Sequence, residues 1–191
     1  MSLKNQNVTI LGAGIGGLTA AIAMSQRGAN VTIFDQMKRQ SSIGAGIQVS
    51  PNGFGVMDTL GLAAQLLSKG NILKFINVQN YKNPLFSSRV DLMRVTHGNP
   101  NPHLVIHRSD LIGLLIKKTE DLGVKVHFNM KAESIDYDDK EIEISFNDGT
   151  VHKTLMLVGA DGIHSIARKS IGYKAQPTFT GKVAWRAMIE S

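Results

Sequence analysis

Residues 8–35 read VTILGAGIGGLTAAIAMSQRGANVTIFD, and no other stretch restricts the fold as tightly. Val8, Ile10 and Leu11 form a short apolar run that stops at Gly12, after which Ile15, Leu18 and Ile22 recur at helical spacing to Met24. Gly28 and Asn30 end that helix, and Val31, Ile33 and Phe34 make a second β-branched and aromatic run closed by Asp35. The pattern predicts a strand, a tight turn, a helix and a second strand. Each glycine has its own task. Gly12 allows the sharp exit from the strand, Gly14 leaves no side chain between the backbone and a diphosphate, and Gly17 lets the helix lie close on the sheet. The helix start at Gly14 to Leu18 then offers free N–H groups and the positive end of its dipole to the diphosphate. Asp35, 23 residues after Gly12, stands where a carboxylate ending the second strand accepts hydrogen bonds from a ribose. A glycine string alone is weak evidence, but with the strand before it, the helix after it and the acidic strand end it predicts dinucleotide binding. The plain alternative is a βαβ unit that keeps the turn for packing.

With 191 residues the chain has room for one ordinary domain, or one domain and part of another. Its hydrophobic content of 42% and mean hydropathy of −0.03 are those of a globular protein, and no apolar run approaches the roughly 18 residues a membrane span needs. MSLKNQNV lacks the apolar core of a signal peptide, so the expected location is the cytoplasm. The absence of cysteine excludes disulfides, thiolate catalysis and cysteine-bound zinc. A net charge of +6 raises the question of nucleic acid, but the basic residues are scattered, as at Lys117-Lys118 beside Glu120-Asp121, and no aromatic-basic stacking motif accompanies them. No nucleic-acid partner is expected.

Further along, GAGIQVSPNG at 44–53 has too many glycines for a regular element and reads as a loop approaching a ligand. Ser50 or Asn52 can cap the next helix, Pro51 starts it, and Phe54, Met57, Leu60 and Leu62 supply its apolar face. Residues 72–93 alternate like a β-hairpin, and HGNPNPH at 97–103 is a loop. LVIHRSDLIGLLIKKTEDLGVKVHF repeats the opening pattern: a strand at Leu104 to His107, a helix with Leu111, Leu114, Leu115 and Leu122 on one face, and a strand from Val124 to Phe128. Two such units imply one parallel sheet with right-handed crossovers. Three strand-like runs follow, with a turn at Asn147-Asp148-Gly149, and predict an antiparallel meander. The last of them, Leu155 to Val158, reads as a buried strand delivering Asp161. Ser165 to Ile171 reads as a helix, and Val183 to Ile189 as a strand.

GAGIGG at 12–17, FDQ at 34–36, GAGIQVSPNG at 44–53, IHRSDL at 106–111 and GADGIHSIAR at 159–168, in this order, resemble the single-component FAD-dependent aromatic hydroxylases, of the salicylate hydroxylase and 6-hydroxynicotinate 3-monooxygenase kind. TGKVAWRAMI at 180–189 is similar to the strand that opens their substrate domain. The resemblance implies an α/β fold: a Rossmann-like FAD-binding domain with a parallel sheet and an antiparallel β-meander, and the beginning of a β-sheet substrate domain. The expected division is residues 1–71 and 104–172 for the FAD-binding domain, with 72–103 and 173–191 as part of the substrate-binding domain. It further implies that Gly12, Gly14 and Gly17 receive the FAD diphosphate, that Asp35 holds the adenosine ribose, and that Arg108 reaches the FAD. Asp161 is implicated in both FAD and NAD(P)H handling, and Gln36, Gln48 and Ala132 line the cofactor cleft. Cofactors are then FAD, with NADH or NADPH as reductant, and the substrate is a small aromatic acid.

Read from the residues alone, other roles stay open. Arg108 can pair with Asp110, Asp161 can be a turn residue before Gly162, and His107, His164 and Ser165 read as structural. Relatives acting on hydroxynicotinate carry His where this chain has Gln48, an amide that does not titrate. The family's later GDAAH-like segment is absent, so the expectation is the N-terminal part of a hydroxylase, inactive by itself. The rival expectation is a non-catalytic dinucleotide-binding module that pairs with another chain, or with a second copy, through an exposed edge near Val183 to Ile189. An NAD-dependent dehydrogenase leaves GAGIQVSPN and GADG without a role.

Overall fold

The computed structural model describes residues 3–38, 45–83, 85, 87–96, 98–173 and 176–185. In chain order its elements begin β1 (Asn7–Leu11), α1 (Ile15–Ser25), β2 (Asn30–Phe34), β3 (Gly46–Val49), α2 (Pro51–Thr59), α3 (Ala63–Lys69), β4 (Asn71–Ile72), β5 (Phe75–Gln79) and β6 (Ser87–Asp91). They continue with α4 (Leu92–Val95), β7 (Leu104–His107), α5 (Arg108–Asp121), β8 (Lys125–His127), β9 (Ala132–Tyr137), β10 (Ile142–Phe146), β11 (Val151–Thr154), β12 (Leu157–Gly159) and α6 (Ile166–Ser170). The chain divides into two compact units, Met1–Ile43 with Leu115–Arg186, and Gly44–Leu114 with Ala187–Ser191. None of the helices among the described residues is long and apolar enough to cross a membrane.

The first unit is built on a parallel sheet in the order β12-β1-β2-β8. Strand alternation sends Val8, Ile10, Val31 and Ile33 to one face, where they are buried with Leu18, Ala21 and Ile22 of α1. Leu11 and Phe34 point the other way and form a cluster with Ile144 and Phe146 of the meander β11-β10-β9. Burying a side chain of this size stabilises by roughly 1.5–3 kcal/mol, so these two layers carry most of the unit's cohesion. The meander's second hairpin turns at Asn147-Asp148-Gly149, as its sequence requires, with Gly149 at φ +82° and its N–H donating to the Phe146 carbonyl at 3.0 Å.

The second unit holds an antiparallel sheet β3-β7-β4 and the hairpin β5-β6. Pro51 begins α2 behind Ser50, whose hydroxyl donates to the Asn52 side chain at 2.5 Å instead of capping the helix. Phe54, Met57, Leu60 and Leu62 are buried as the pattern required.

Several expectations are corrected. Residues 46–49 form strand β3, because pairing with β7 supplies the backbone partners that local glycine content cannot reveal. β7 does not join the parallel sheet: both its edges are taken by antiparallel neighbours, and only β8 of the second strand-helix-strand unit pairs with β2. The third meander strand is β11, Val151–Thr154, while the apolar run at 155–158 leaves the meander: it becomes a strand only at Leu157 and pairs parallel with β1 at the sheet edge, so Leu155 is 75% exposed and β12 only half-buried. Leu122 lies past the end of α5 and is exposed, while Ile112 and Thr119 complete the buried face with Leu111 and Leu115. Of the strand expected at Val183 to Ile189, residues 183–185 have no regular structure and 186–189 lie outside the described residues.

Candidate cofactor-binding site

The turn between β1 and α1 is gripped from both sides. Gly12 sits at φ +105°, and a Cβ there would run into the backbone carbonyl of Ala160, just after β12. The Ala160 N–H donates to the Leu11 carbonyl at 2.8 Å, and the Gly12 N–H donates to the Phe34 carbonyl at 2.8 Å. Gly17 lies so close beneath the turn that a Cβ would strike the Gly12 carbonyl oxygen. Two of the three motif glycines are therefore required by the protein's own backbone.

Gly14 differs from both. It precedes α1 with φ −76° and ψ −179°, a conformation any residue adopts, and a Cβ there would meet nothing within 4 Å. Neither strain nor packing explains a glycine at this position. The first turn of α1 has no side-chain cap and no acidic residue, and its first intrahelical bond is the Leu18 N–H to the Gly14 carbonyl at 3.0 Å. Open space in front of unclaimed N–H groups at a positive helix end is what a diphosphate requires.

Asp35 is half-buried and spans two turns: Oδ2 accepts the Ala13 N–H at 2.6 Å and Oδ1 accepts the Met37 N–H at 2.7 Å. Its carboxylate thus holds the turn between β1 and α1 in shape, and its remaining lone pairs are available to a further donor. Asp161 plays the matching part on the opposite side. Oδ1 accepts the Ser165 hydroxyl at 2.5 Å, and Oδ2 accepts the N–H groups of Ile166 at 2.6 Å and Ala167 at 3.1 Å, capping α6. Ser165, buried, accepts the Arg168 N–H at 2.9 Å.

Gly12, Gly14, Gly17, Asp35 and Asp161 are thus brought together in the first unit. Gln36, exposed, follows Asp35 directly, and Ala132 opens β9 opposite Phe146 and packs on the Leu11–Phe34–Ile144–Phe146 cluster. Gln48 and Arg108 belong to the second unit. Gln48 is exposed on β3 opposite Val105. Arg108 is half-buried at the start of α5, its N–H donating to the Ala45 carbonyl at 3.2 Å; among the described residues it makes no ion pair, with Asp110 or any other carboxylate. His107 Nδ1 lies 2.5 Å from the Ser109 hydroxyl, a satisfied histidine. No group of side chains among the described residues could hold a metal.

Sequence reasoning missed Ala160, whose backbone closes the turn. The signal was present as the near-repetition of GAG at 12–14 by GAD at 159–161, two small-residue turns ending adjacent parallel strands. It also missed the ring cluster at the end of β2, where Phe34 stacks on His127 at 5.0 Å and meets His152 at 4.8 Å. His152 bonds the buried Thr9 hydroxyl at 2.9 Å, and burial, with His127 nearby, holds it below its ordinary value of 6.5.

A family model described as an FAD binding domain matches residues 5–189. The chain is 31% identical over 188 residues to 3-hydroxybenzoate 6-hydroxylase 1 from Aquipseudomonas alcaligenes, covering 97% of this chain and 48% of that protein. It is 30% identical over 184 residues to 6-hydroxynicotinate 3-monooxygenase from Bordetella bronchiseptica, covering 95% and 47%. The chain therefore spans about half the length of the curated relatives it matches. Among solved structures, the tetrameric form of 2-methyl-3-hydroxypyridine-5-carboxylic acid oxygenase superposes with a TM-score of 0.75 at 29% identity, over 90% of this chain and 43% of that one. CtdE in complex with FAD superposes with a TM-score of 0.76 at 25% identity, over 93% and 44%.

Proposed function

This chain belongs to the FAD binding domain family of the flavin-dependent aromatic monooxygenases, and from that premise we propose that it seats the ADP half of FAD on the turn between β1 and α1 in a protein that hydroxylates a small aromatic acid. The reductant in this reading is NADH or NADPH and the oxidant is O2. The observation that carries the cofactor assignment is Gly14, a glycine that packing does not require and that fronts open space at an uncapped helix start. When bound, FAD would supply the oxygen activation, which no side chain of this chain can provide.

The residues divide the work of holding it. N–H groups at the start of α1 receive the diphosphate, with the helix dipole adding to the attraction. Asp35 keeps the turn in its receiving shape and offers its remaining lone pairs to the adenosine ribose. Asp161, fixed by its three bonds to the start of α6, presents the Ala160–Asp161 backbone against Gly12 and so sets the depth of the turn. In the same proposal Arg108, Gln36, Gln48 and Ala132 are cofactor-lining residues, on the strength of the motif resemblance. The domain division proposed is residues 1–71 and 104–172 for FAD, with 72–103 and 173–191 as part of the substrate-binding domain.

Calorimetry with FAD and with ADP tests the reading. Binding of both to the parent chain, lost in Gly14→Ala while the fold is retained, is the expected result. An absence of heat with either ligand on the folded chain would refute it.

A further inference from the structure

We propose that a second cavity in the first unit, against the beginnings of the parallel strands, is a binding site for a small oxyanion, a phosphate or a carboxylate. It measures about 470 Å³ and opens to solvent, none of the glycine-turn residues lines it, and the inference stands independently of the FAD reading.

The sheet itself draws attention to the place. Register sets Asn7 beside Asn30, and Thr9 beside Thr32 beside Lys125, on the face that one row further on carries Leu11, Phe34 and His127. Both faces of a parallel sheet are ordinarily covered by apolar contacts, as the opposite face is here by Val8, Ile10, Val31 and Ile33. Asparagine, moreover, is depleted in strands. Asn7, Asn30 and Lys125 are exposed at the margin of the sheet, whereas Thr32 is half-buried and Thr9 buried, and all five line the cavity.

What they offer is donors. The Asn30 amide donates to the Asn7 carbonyl oxygen at 3.2 Å, which leaves the Asn7 amide hydrogens uncommitted by that bond. Thr32 presents a hydroxyl. From β11, His152 reaches across to the Thr9 hydroxyl at 2.9 Å, and Thr9 is 2% exposed, so this polar pair is built into the wall and is not a surface accident. Two lysines line the cavity and no carboxylate does. The Lys153 ammonium is held by Glu141 at 2.5 Å and Glu143 at 3.1 Å, whereas Lys125 enters no ion pair among the described residues. Thr9, Phe34 and His127 meet His152, none of them acidic, and the rest of the wall mixes apolar Val8, Ala29, Val31, Leu122 and Val124 with Lys125 and the other donors, so a bound anion would find donor and positive groups without a competing carboxylate on the lining. A metal cation would find no carboxylate on the lining.

The test is a titration of the 191-residue chain with inorganic phosphate, followed by NMR of the histidine rings and backbone amides, with sodium chloride at equal ionic strength as the control. The expected result is a saturable shift of the His152 ring signals together with the amides of Thr32 and Lys125. In Lys125→Met the affinity falls about tenfold, as loss of a charge-assisted contact to an oxyanion requires. Thr32→Val, which suits a strand and so protects the fold, weakens binding in the same direction. Acetate replacing phosphate shows whether the preferred ligand is a carboxylate; saturation by either supports the site. A His152 response reproduced by chloride, or left unchanged in both variants, overturns it. The amide of Gly14, titrated separately with ADP, reports on the dinucleotide turn, so a chain that binds ADP there while His152 stays silent to phosphate defeats this proposal alone.

Discussion

Gly12→Ala and Gly14→Ala are the same chemical change two residues apart, and the structure demands opposite outcomes. At Gly12 an alanine must hold φ near +105°, a conformation that costs roughly 1–3 kcal/mol for a residue with a side chain. Its methyl group would also have to displace the Ala160 backbone, an overpacking cost of about 1–3 kcal/mol. The two effects act on one contact and add to around 2–6 kcal/mol, a large part of the 5–15 kcal/mol typical of a domain. At Gly14 the backbone is extended and the methyl group meets no protein atom, so stability should change by no more than about 0.5 kcal/mol. The same methyl group stands in the space assigned to the diphosphate, and a loss of at least about tenfold in ADP affinity follows, equivalent to 1.4 kcal/mol. Urea unfolding followed by circular dichroism gives the first quantity, and calorimetry with ADP gives the second. A Gly14→Ala chain that binds ADP as the parent does would show that the diphosphate does not approach this backbone. A Gly12→Ala chain unfolding at the parent's urea concentration would show that the contact with Ala160 is not tight.

Other substitutions separate the remaining roles. Asp35→Ala removes the acceptor of two backbone bonds and should cost about 1–3 kcal/mol, with faster amide exchange at Ala13 and Met37 and weaker ADP binding; unchanged exchange at both would refute the bridging role. Asp161→Ala strips the cap from α6 and should destabilise the chain by about 0.5–2 kcal/mol, with exchange rising at Ile166 and Ala167; protection at parent levels would refute the cap. His152 has its folded value lowered, first by burial and then by His127, so the unfolded chain takes up its proton at higher pH than the folded one does. Its contribution is therefore fully present above about 6.5 and is lost as pH falls below that value, and His152→Gln should flatten the acid side of a melting-temperature profile. An acid limb equally steep in both chains would contradict this.

How far the sequence could be read depended on whether a partner was local. Strand β1, helix α1 and strand β2 were legible because alternation, helical spacing and the glycines all act within thirty residues, and so were the β5-β6 hairpin and the turn at Asn147-Asp148-Gly149. β3 was hidden, since Gly46–Val49 is a strand only by virtue of β7, more than fifty residues away. β7 was identified as a strand but assigned to the wrong sheet, because a strand followed by a helix looks the same whichever sheet receives it. In the site, the three glycines and their separate tasks were legible, but that the Ala160 carbonyl, about 150 residues away, is what closes on Gly12 was not. The side chains of Asp35 and Asp161 were found by motif; that each is anchored to backbone N–H groups follows only from the way the turns meet.

The abutment of Gly12 on Ala160 also bears on the order of events during synthesis. β1 can pair with β2 as soon as the first few dozen residues leave the ribosome, but its other edge waits for β12, about 150 residues further along the chain. Until that late arrival, the Ala160 carbonyl does not press on Gly12. Nascent chains halted before Ala160 should consequently hold the opening strands and helix yet lack a set receptor for nucleotide, and competence should appear abruptly once that segment has emerged, one of the last steps of folding and not one of the first.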